Sequence, residues 1–170
     1  MSFVAPDFVI PEPPGSAGFL LTPLRVDHVV LDYEAVMSSR ERLWQLFGAG
    51  WGWPQADMTL MQDLVDLGWH QKEFQLRRSF SWAVLTPDQR QVLGCCYLDP
   101  TTRSGFDAEA CYWVRSDRIA SRLEDRVGEV FRDWLAGCWP FLRIAYPGRD
   151  QPLVTPGMHT SSGVAEIDRR

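Results

Sequence analysis

Lysine is almost missing: Lys72 is the single lysine among the 17 Lys and Arg residues of this 170-residue chain. The formal charge of −5 lacks the basic balance that a general nucleic-acid binder carries, so no nucleic acid is expected as a partner. The arginine excess suits planar two-point contacts to phosphate or carboxylate, and a genomic composition bias produces the same excess. No apolar run is long enough to cross a membrane, and the N-terminus lacks the basic region and apolar block of a secretory signal. No membrane partner and a cytoplasmic location are therefore expected. Metal-ligand spacing is missing as well. His28, His70 and His159 form no H-x-x-x-H pair, and Cys95, Cys96, Cys111 and Cys138 form no C-x-x-C pair, so no metal is expected. All four cysteines lie in apolar segments and read as buried free thiols. Without G-x-S-x-G or a Walker loop, hydrolase and nucleoside-triphosphatase chemistry have no motif to rest on.

What is present reads as one domain with a terminal arm and tail. Residues 1–18 carry Pro6, Pro11, Pro13 and Pro14 and read as an extended arm. Its Phe3, Val4, Phe8, Val9 and Ile10 have either the body or a second subunit to pack on, which is compatible with a homodimer. The domain proper spans 19–146. Phe19 to Arg25 reads as a strand, Asp27 as an N-cap, and Asp27 to Phe47 as a helix interrupted at Ser38-Ser39 and stopped by Gly48. Gly50-Trp51-Gly52-Trp53-Pro54 reads as a loop. Thr59 and Gln62 have capping-box spacing, and Leu60, Leu64, Leu67 and Phe74 mark one helix face up to about Arg78. Phe80–Thr86, Gln91–Leu98 and Asp107–Val114 read as an antiparallel meander whose first link, Pro87-Asp88-Gln89-Arg90, has turn chemistry. Ser116 or Asp117 is expected to cap a helix with Ile119, Leu123, Val127, Val130, Phe131 and Trp134 as its buried stripe, ending at Gly137. Trp139–Tyr146 then reads as a strand parallel to the third meander strand, by the handedness of a strand-helix-strand unit. Residues 147–170 read as an irregular tail.

A strand leading straight into a helix start exposes backbone N–H groups and the positive end of the helix dipole, an anion site in itself. The Asp107–Leu135 stretch is thus the expected place for a phosphate-bearing ligand. Arg115, Arg118, Arg122 and Arg126 recur at helical spacing. They read either as a phosphate ladder or as a solvated face balanced by Asp117, Glu124, Asp125 and Glu129. Glu109, on the polar side of its strand, is either a general base or a solvated carboxylate. Trp51 and Trp53 are either a wall for an apolar or cationic ligand or anchors for their loop.

The stretches FLLTPLRVDH, VLGCCYLDP and ACYWVRSDRIASRLEDRVGEVF, in this order of elements, resemble the GNAT superfamily of N-acetyltransferases. The resemblance implies an α+β fold: a mixed sheet in which an antiparallel meander is followed by a strand-helix-strand unit, with helices on both faces. It implies a coenzyme A thioester, acetyl-CoA, held in a gap between the third meander strand and the next parallel strand. It assigns the cofactor to Trp113, Val114, Arg115, Arg118, Ile119, Ala120, Ser121 and Arg122. Of the family's pyrophosphate loop Q/R-x-x-G-x-G/A, Arg118 fits the first position, while Ser121 and Leu123 stand where small residues are usual. The resemblance makes Glu109 the first choice of base and Tyr146 the nearest candidate acid, and it places Trp51 and Trp53 by the acceptor. The residues after Tyr146 are too few for the helix and two strands the family usually adds there. The implied activity is direct acetyl transfer to an amine of a small molecule or peptide. The alternative is a GNAT-fold module without catalysis that binds a ligand or a protein partner.

Overall fold

The computed structural model describes residues 3–152 of the chain. In chain order its elements are β1 (Leu20–Pro23), α1 (Val29–Ser38), α2 (Arg40–Leu43), α3 (Ala49–Trp51) and α4 (Leu60–Gln75). There follow β2 (Phe80–Leu85), β3 (Val92–Asp99), β4 (Ala108–Val114), α5 (Leu123–Cys138) and β5 (Ile144–Ala145). The sheet has five strands in the order β1-β2-β3-β4-β5, antiparallel throughout except for the parallel β4–β5 pair.

Strand alternation divides the core between the two faces of the sheet. Phe80, Trp82 and Val84 of β2 turn to one face, where Phe131, Trp134 and Trp139 meet them. Trp82 makes edge-on contacts with Trp134 at 5.1 Å and Trp139 at 5.7 Å, the geometry that ring quadrupoles favour. Ala83 and Leu85, with Cys95 and Trp113, turn to the opposite face under α1, α2 and α4. Cys95 and Cys96 accordingly lie on opposite faces. The start of α4 is the capping box expected from Thr59 and Gln62: Gln62 N–H donates to Thr59 Oγ1 at 3.2 Å, and Thr59 N–H to Gln62 Oε1 at 2.7 Å. The N-terminal arm lies on its own body, with Phe3, Phe8 and Ile10 against the α5-side core. Arg77 fastens it by donating to the carbonyls of Ala5 and Phe8.

Several local expectations are corrected. Asp27 caps nothing; it sits inside a single 3-10 turn, Val26–His28, and accepts from Arg25. Gly48 does not stop its helix. The chain runs on through a wide turn, Trp44–Gly48, in which the Trp44 ring covers Gly48 so closely that a Cβ there would lie 2.6 Å from it. The stop is Gly52, at φ 63, so Gly50 and Trp51 are helical rather than loop. Leu60 and Ile119 are exposed rather than buried, and Cys138 is the one described cysteine that is not buried. α5 begins at Leu123, after a 3-10 segment Ser116–Ser121 and a left-handed Arg122 at φ 57, and runs past Gly137 to Cys138. The last strand shrinks from Trp139–Tyr146 to Ile144–Ala145. Trp139 and Phe141 turn their rings into the core, and the Leu142 and Arg143 N–H groups donate to Asp107 Oδ2 at 2.9 and 2.8 Å instead of to a strand. The tail expectation for 153–170, His159 included, falls outside the described residues.

Candidate functional site

β4 and β5 pair only at Ala108↔Ile144 and Glu109↔Ala145. Beyond Glu109 the two chains separate, and a cavity of about 60 Å³ lies between Cys111–Tyr112 and Pro147–Arg149, roofed by Leu46 and Phe47. The edge of β4 that faces this gap is occupied by arginines of the chain itself. Arg149 donates to the Tyr112 carbonyl at 3.0 Å, with its guanidinium 3.8 Å from the Tyr112 ring centre. Arg42 donates to the Val114 carbonyl at 3.0 Å. Both arginines converge on Glu124, Arg42 at 2.7 Å and Arg149 at 3.4 Å.

The junction after β4 is similarly tied to the bend between α1 and α2. Arg115 is buried and bonded through both terminal nitrogens to Glu34 and through Nε to Asp117 at 3.1 Å. The Ser116 N–H donates to Ser39 Oγ at 2.9 Å. Arg115 is therefore not available to a phosphate as the arginine-ladder reading requires. Because α5 starts only at Leu123, Arg115, Arg118 and Arg122 do not share a helix flank with Arg126. Arg118 stays half-exposed and donates to Gln91 Oε1 at 2.9 Å, and Arg122 pairs with Asp125 in solvent. Ile119, Ala120 and Ser121 are exposed on the 3-10 segment, where Ser121 Oγ donates back to the Arg118 carbonyl at 2.7 Å. Trp113 is fully buried, and its indole N–H donates to the Tyr97 hydroxyl at 3.2 Å.

On the α1/α4 face a larger cavity, about 330 Å³, opens beside the point where β4 leaves β5. Trp51, Trp53 and Trp69 form aromatic wall, and Leu24 and Leu67 form apolar floor. Trp51 is held by stacking on Phe47 with ring centres 4.7 Å apart. Asp32, Asp63, Asp66, Asp99 and Glu109 also line the space, and among the described residues no lysine or arginine does. Asp32 is buried and accepts from the Cys95 thiol at 3.3 Å. Asp63 is 1% exposed, and its Oδ2 has no hydrogen-bond partner. Burial, with repulsion from Asp32 and Asp66, pushes the Asp63 carboxyl up to about 8. Burial likewise raises Asp32 to about 6, and burial with repulsion from Glu109 raises Asp99 to about 7. His70, hydrogen-bonded to Ser81 Oγ at 2.9 Å, is pushed down to about 4 by burial and stays neutral.

Glu109, Trp51 and Trp53 are thus brought together, and Tyr146 is not. Alternation along the paired strands puts Glu109 and Ala145 on one face and Tyr146 on the other. There Tyr146 packs under the Arg132 guanidinium, 3.8 Å from its ring centre, and burial pushes its hydroxyl up to about 12. Glu109 Oε2 accepts from Thr101 Oγ1 at 2.9 Å and from Arg103 Nε at 3.3 Å. Asp99 stands directly opposite Glu109 across β3 and β4. Asp32, Asp63, Asp66, Asp99, Trp69 and Tyr97 were not picked out by sequence reasoning. A signal for some of them existed: Asp63, Leu67, His70 and Phe74 share one stripe of α4 at spacings of four, three and four, so acids flank the apolar face.

The mixed sheet, with its splayed parallel pair and a long helix crossing between those two strands, is a GNAT-like fold shared with solved acetyltransferases. Solved structures with this fold include the ribosomal-protein-S5-alanine acetyltransferase of Vibrio fischeri, 16% identical with a TM-score of 0.57 over 72% of this chain and 66% of that one. RimL, the ribosomal L7/L12 alpha-N-protein acetyltransferase, solved in complex with coenzyme A, is 14% identical with a TM-score of 0.60 over 73% of this chain and 67% of that one. An acetyltransferase from Thermus thermophilus is 17% identical, with a TM-score of 0.54 over 71% of each chain. The chain spans about two thirds of the length of the first two of these proteins. No protein-family model matches the sequence, and no curated protein does either. Among the described residues no helix is long and apolar enough to cross a membrane.

Proposed function

We propose that the protein transfers an acyl group from a coenzyme A thioester, acetyl-CoA in the simplest case, to an amine. The observation that carries this reading is the position of Glu109. It is the last β4 residue paired with β5, and it is also a wall of the acidic, aromatic cavity. A thioester arm lying along the unpaired part of β4 and an amine in the cavity would meet there. Coenzyme A supplies the activated acyl group, and the residues suited to hold it are Ala110–Val114 along the gap, with Arg118 toward the phosphates. An amine must lose a proton before it attacks, and a base titrating near neutrality takes it best. Asp99, raised to about 7 beside Glu109, meets that condition, so the base is the Asp99–Glu109 pair rather than Glu109 alone.

A second reading, a GNAT-fold module that binds a ligand without catalysis, is favoured by one specific observation. Arg42 and Arg149 already satisfy the Val114 and Tyr112 carbonyls, where a cofactor arm would bond. Acetyl-CoA must displace at least the Arg149 contact. Under the acyl-transfer reading, saturating acetyl-CoA raises the melting temperature by about 5 °C, Arg149→Ala binds at least as tightly, and Arg118→Ala binds more weakly. Melting curves unchanged at millimolar acetyl-CoA, for both the unaltered protein and Arg149→Ala, would leave only the second reading.

A further inference from the structure

We propose that the cavity on the α1/α4 face binds a linear alkyl di- or triamine, extended along β3 with one ammonium at Asp32 and Asp63 and another at Asp99 and Glu109. This deepens the acyl-transfer reading, because such a ligand is the acceptor class it needs, but the binding itself requires no coenzyme A.

The cavity lining is rich in acids, of which Glu109 is paired with Arg103. Five carboxyl groups line it, and among the described residues no lysine or arginine does. An unpaired buried carboxylate is costly, and a bound cation removes that cost. Asp63 Oδ2 is the orphan that asks for one: it is buried, has no partner, and belongs to a residue that lines the space. Among the described residues the donor to Asp32 is a thiol, that of Cys95.

The spread of the acids argues for an elongated cation. Cys95, Tyr97 and Asp99 fall on one face of β3, and Asp32 meets the Cys95 end while Glu109 meets the Asp99 end. Four residues of strand span ~13 Å, too far for one ammonium and comparable with an extended triamine. Among the described residues no three His, Cys, Asp or Glu groups are placed to hold a single metal ion. The walls suit the rest of the molecule. Leu24 and Leu67 supply apolar surface for the methylenes, and Trp51, Trp53 and Trp69 supply aromatic surface for alkylammonium groups.

Calorimetric titration of the full chain at pH 8 and constant ionic strength tests this, with spermidine, n-butylamine and magnesium chloride as the titrants. Spermidine is expected to bind at least about tenfold more tightly than butylamine, and magnesium not to displace it at equal concentration. Asp63→Asn and Asp99→Asn, at opposite ends, should each weaken spermidine by about tenfold or more. Asp63→Asn swaps a buried acid for a neutral amide of the same shape, and Asp99→Asn keeps the test open if one variant fails to fold. Equal binding of spermidine and butylamine, displacement by magnesium, or folded variants that bind as the unaltered protein does would each overturn the proposal. No coenzyme A is present in this titration. Spermidine binding without turnover therefore sinks only the acyl-transfer reading, and acetyl-CoA binding without spermidine binding sinks only this one.

Discussion

Asp63→Asn is expected to raise the melting temperature of the unliganded protein by about 5 °C or more at pH 8.5, and by clearly less at pH 5. In the folded chain, burial and the repulsion of Asp32 and Asp66 place the Asp63 carboxyl at about 8. In the unfolded chain an aspartate titrates at about 3.9. Between those values the folded state holds a proton that the unfolded state has lost, so stability falls as pH rises through the window and levels off above it. Asp32 at about 6 and Asp99 at about 7 act in the same direction. His70 opposes them: with a folded value of about 4 against an ordinary 6.5, it destabilises the fold as pH drops through that range. The decline is therefore clearest from pH 6.5 to 8, and Asp63→Asn should flatten it. A pH series of calorimetric melts checks this. If the two proteins melt alike at pH 8.5, Asp63 has a partner or free access to water, and the orphaned acid in the cavity wall is wrong.

Gly94→Ala should act as strongly in the opposite sense, costing about 3 kcal/mol and lowering the melting temperature by about 6–12 °C. A Cβ at this position would sit 2.0 Å from the Trp113 carbonyl oxygen and 2.8 Å from Val114 Cα. Both are backbone atoms of the neighbouring strand, so they cannot swing aside as a side chain does. Relief requires opening the β3–β4 ladder at Gly94↔Val114, one residue from Arg115 and its bonds to Glu34. Gly137→Ala is the matched control. Nothing lies within 4 Å of its added Cβ, and the residue is on the exposed side of α5, so a gain of about 0.5–1 kcal/mol is expected. Denaturant unfolding of the two variants gives both values. A Gly94→Ala protein as stable as the Gly137→Ala one would contradict the close approach of β3 and β4.

The elements that announced themselves in the sequence are those with local causes. The capping box of Thr59 and Gln62, the Pro87–Arg90 turn and the apolar strand runs of the meander each rest on neighbouring residues, and each has its counterpart in the structure. Ser116 and Asp117 are good caps in isolation, yet α5 starts only at Leu123. What displaces the start is nonlocal: Ser39 takes the Ser116 N–H, and Glu34 holds Arg115 from 81 residues away. The final strand is short for a similar reason, since Asp107 captures the backbone that β-propensity assigned to β4's neighbour. Of the residues lining the candidate site, the sequence singled out Glu109, Trp51 and Trp53 through the GNAT resemblance, although Trp51 ends a helix rather than sitting in a loop. Asp32 and Asp63 were not singled out, because acids on amphipathic helices read as solvent-facing until the partner helix is known. Their burial comes from α1 and α4 closing over the same face of β3; the α4 stripe places Asp63 on the apolar side, but only that nonlocal packing buries it.

The central claim is that an amine in the acidic cavity meets a coenzyme A thioester at Asp99 and Glu109. The direct measurement follows free thiol release from acetyl-CoA in the presence of the protein and spermidine, with mass detection of the acylated amine. The account predicts release that depends on the amine, matches the acylated product mole for mole, and falls by about 100-fold or more in a folded Asp99→Asn, Glu109→Gln double variant. Thiol release that ignores the amine, or no transfer when both ligands are seen to bind, would contradict it.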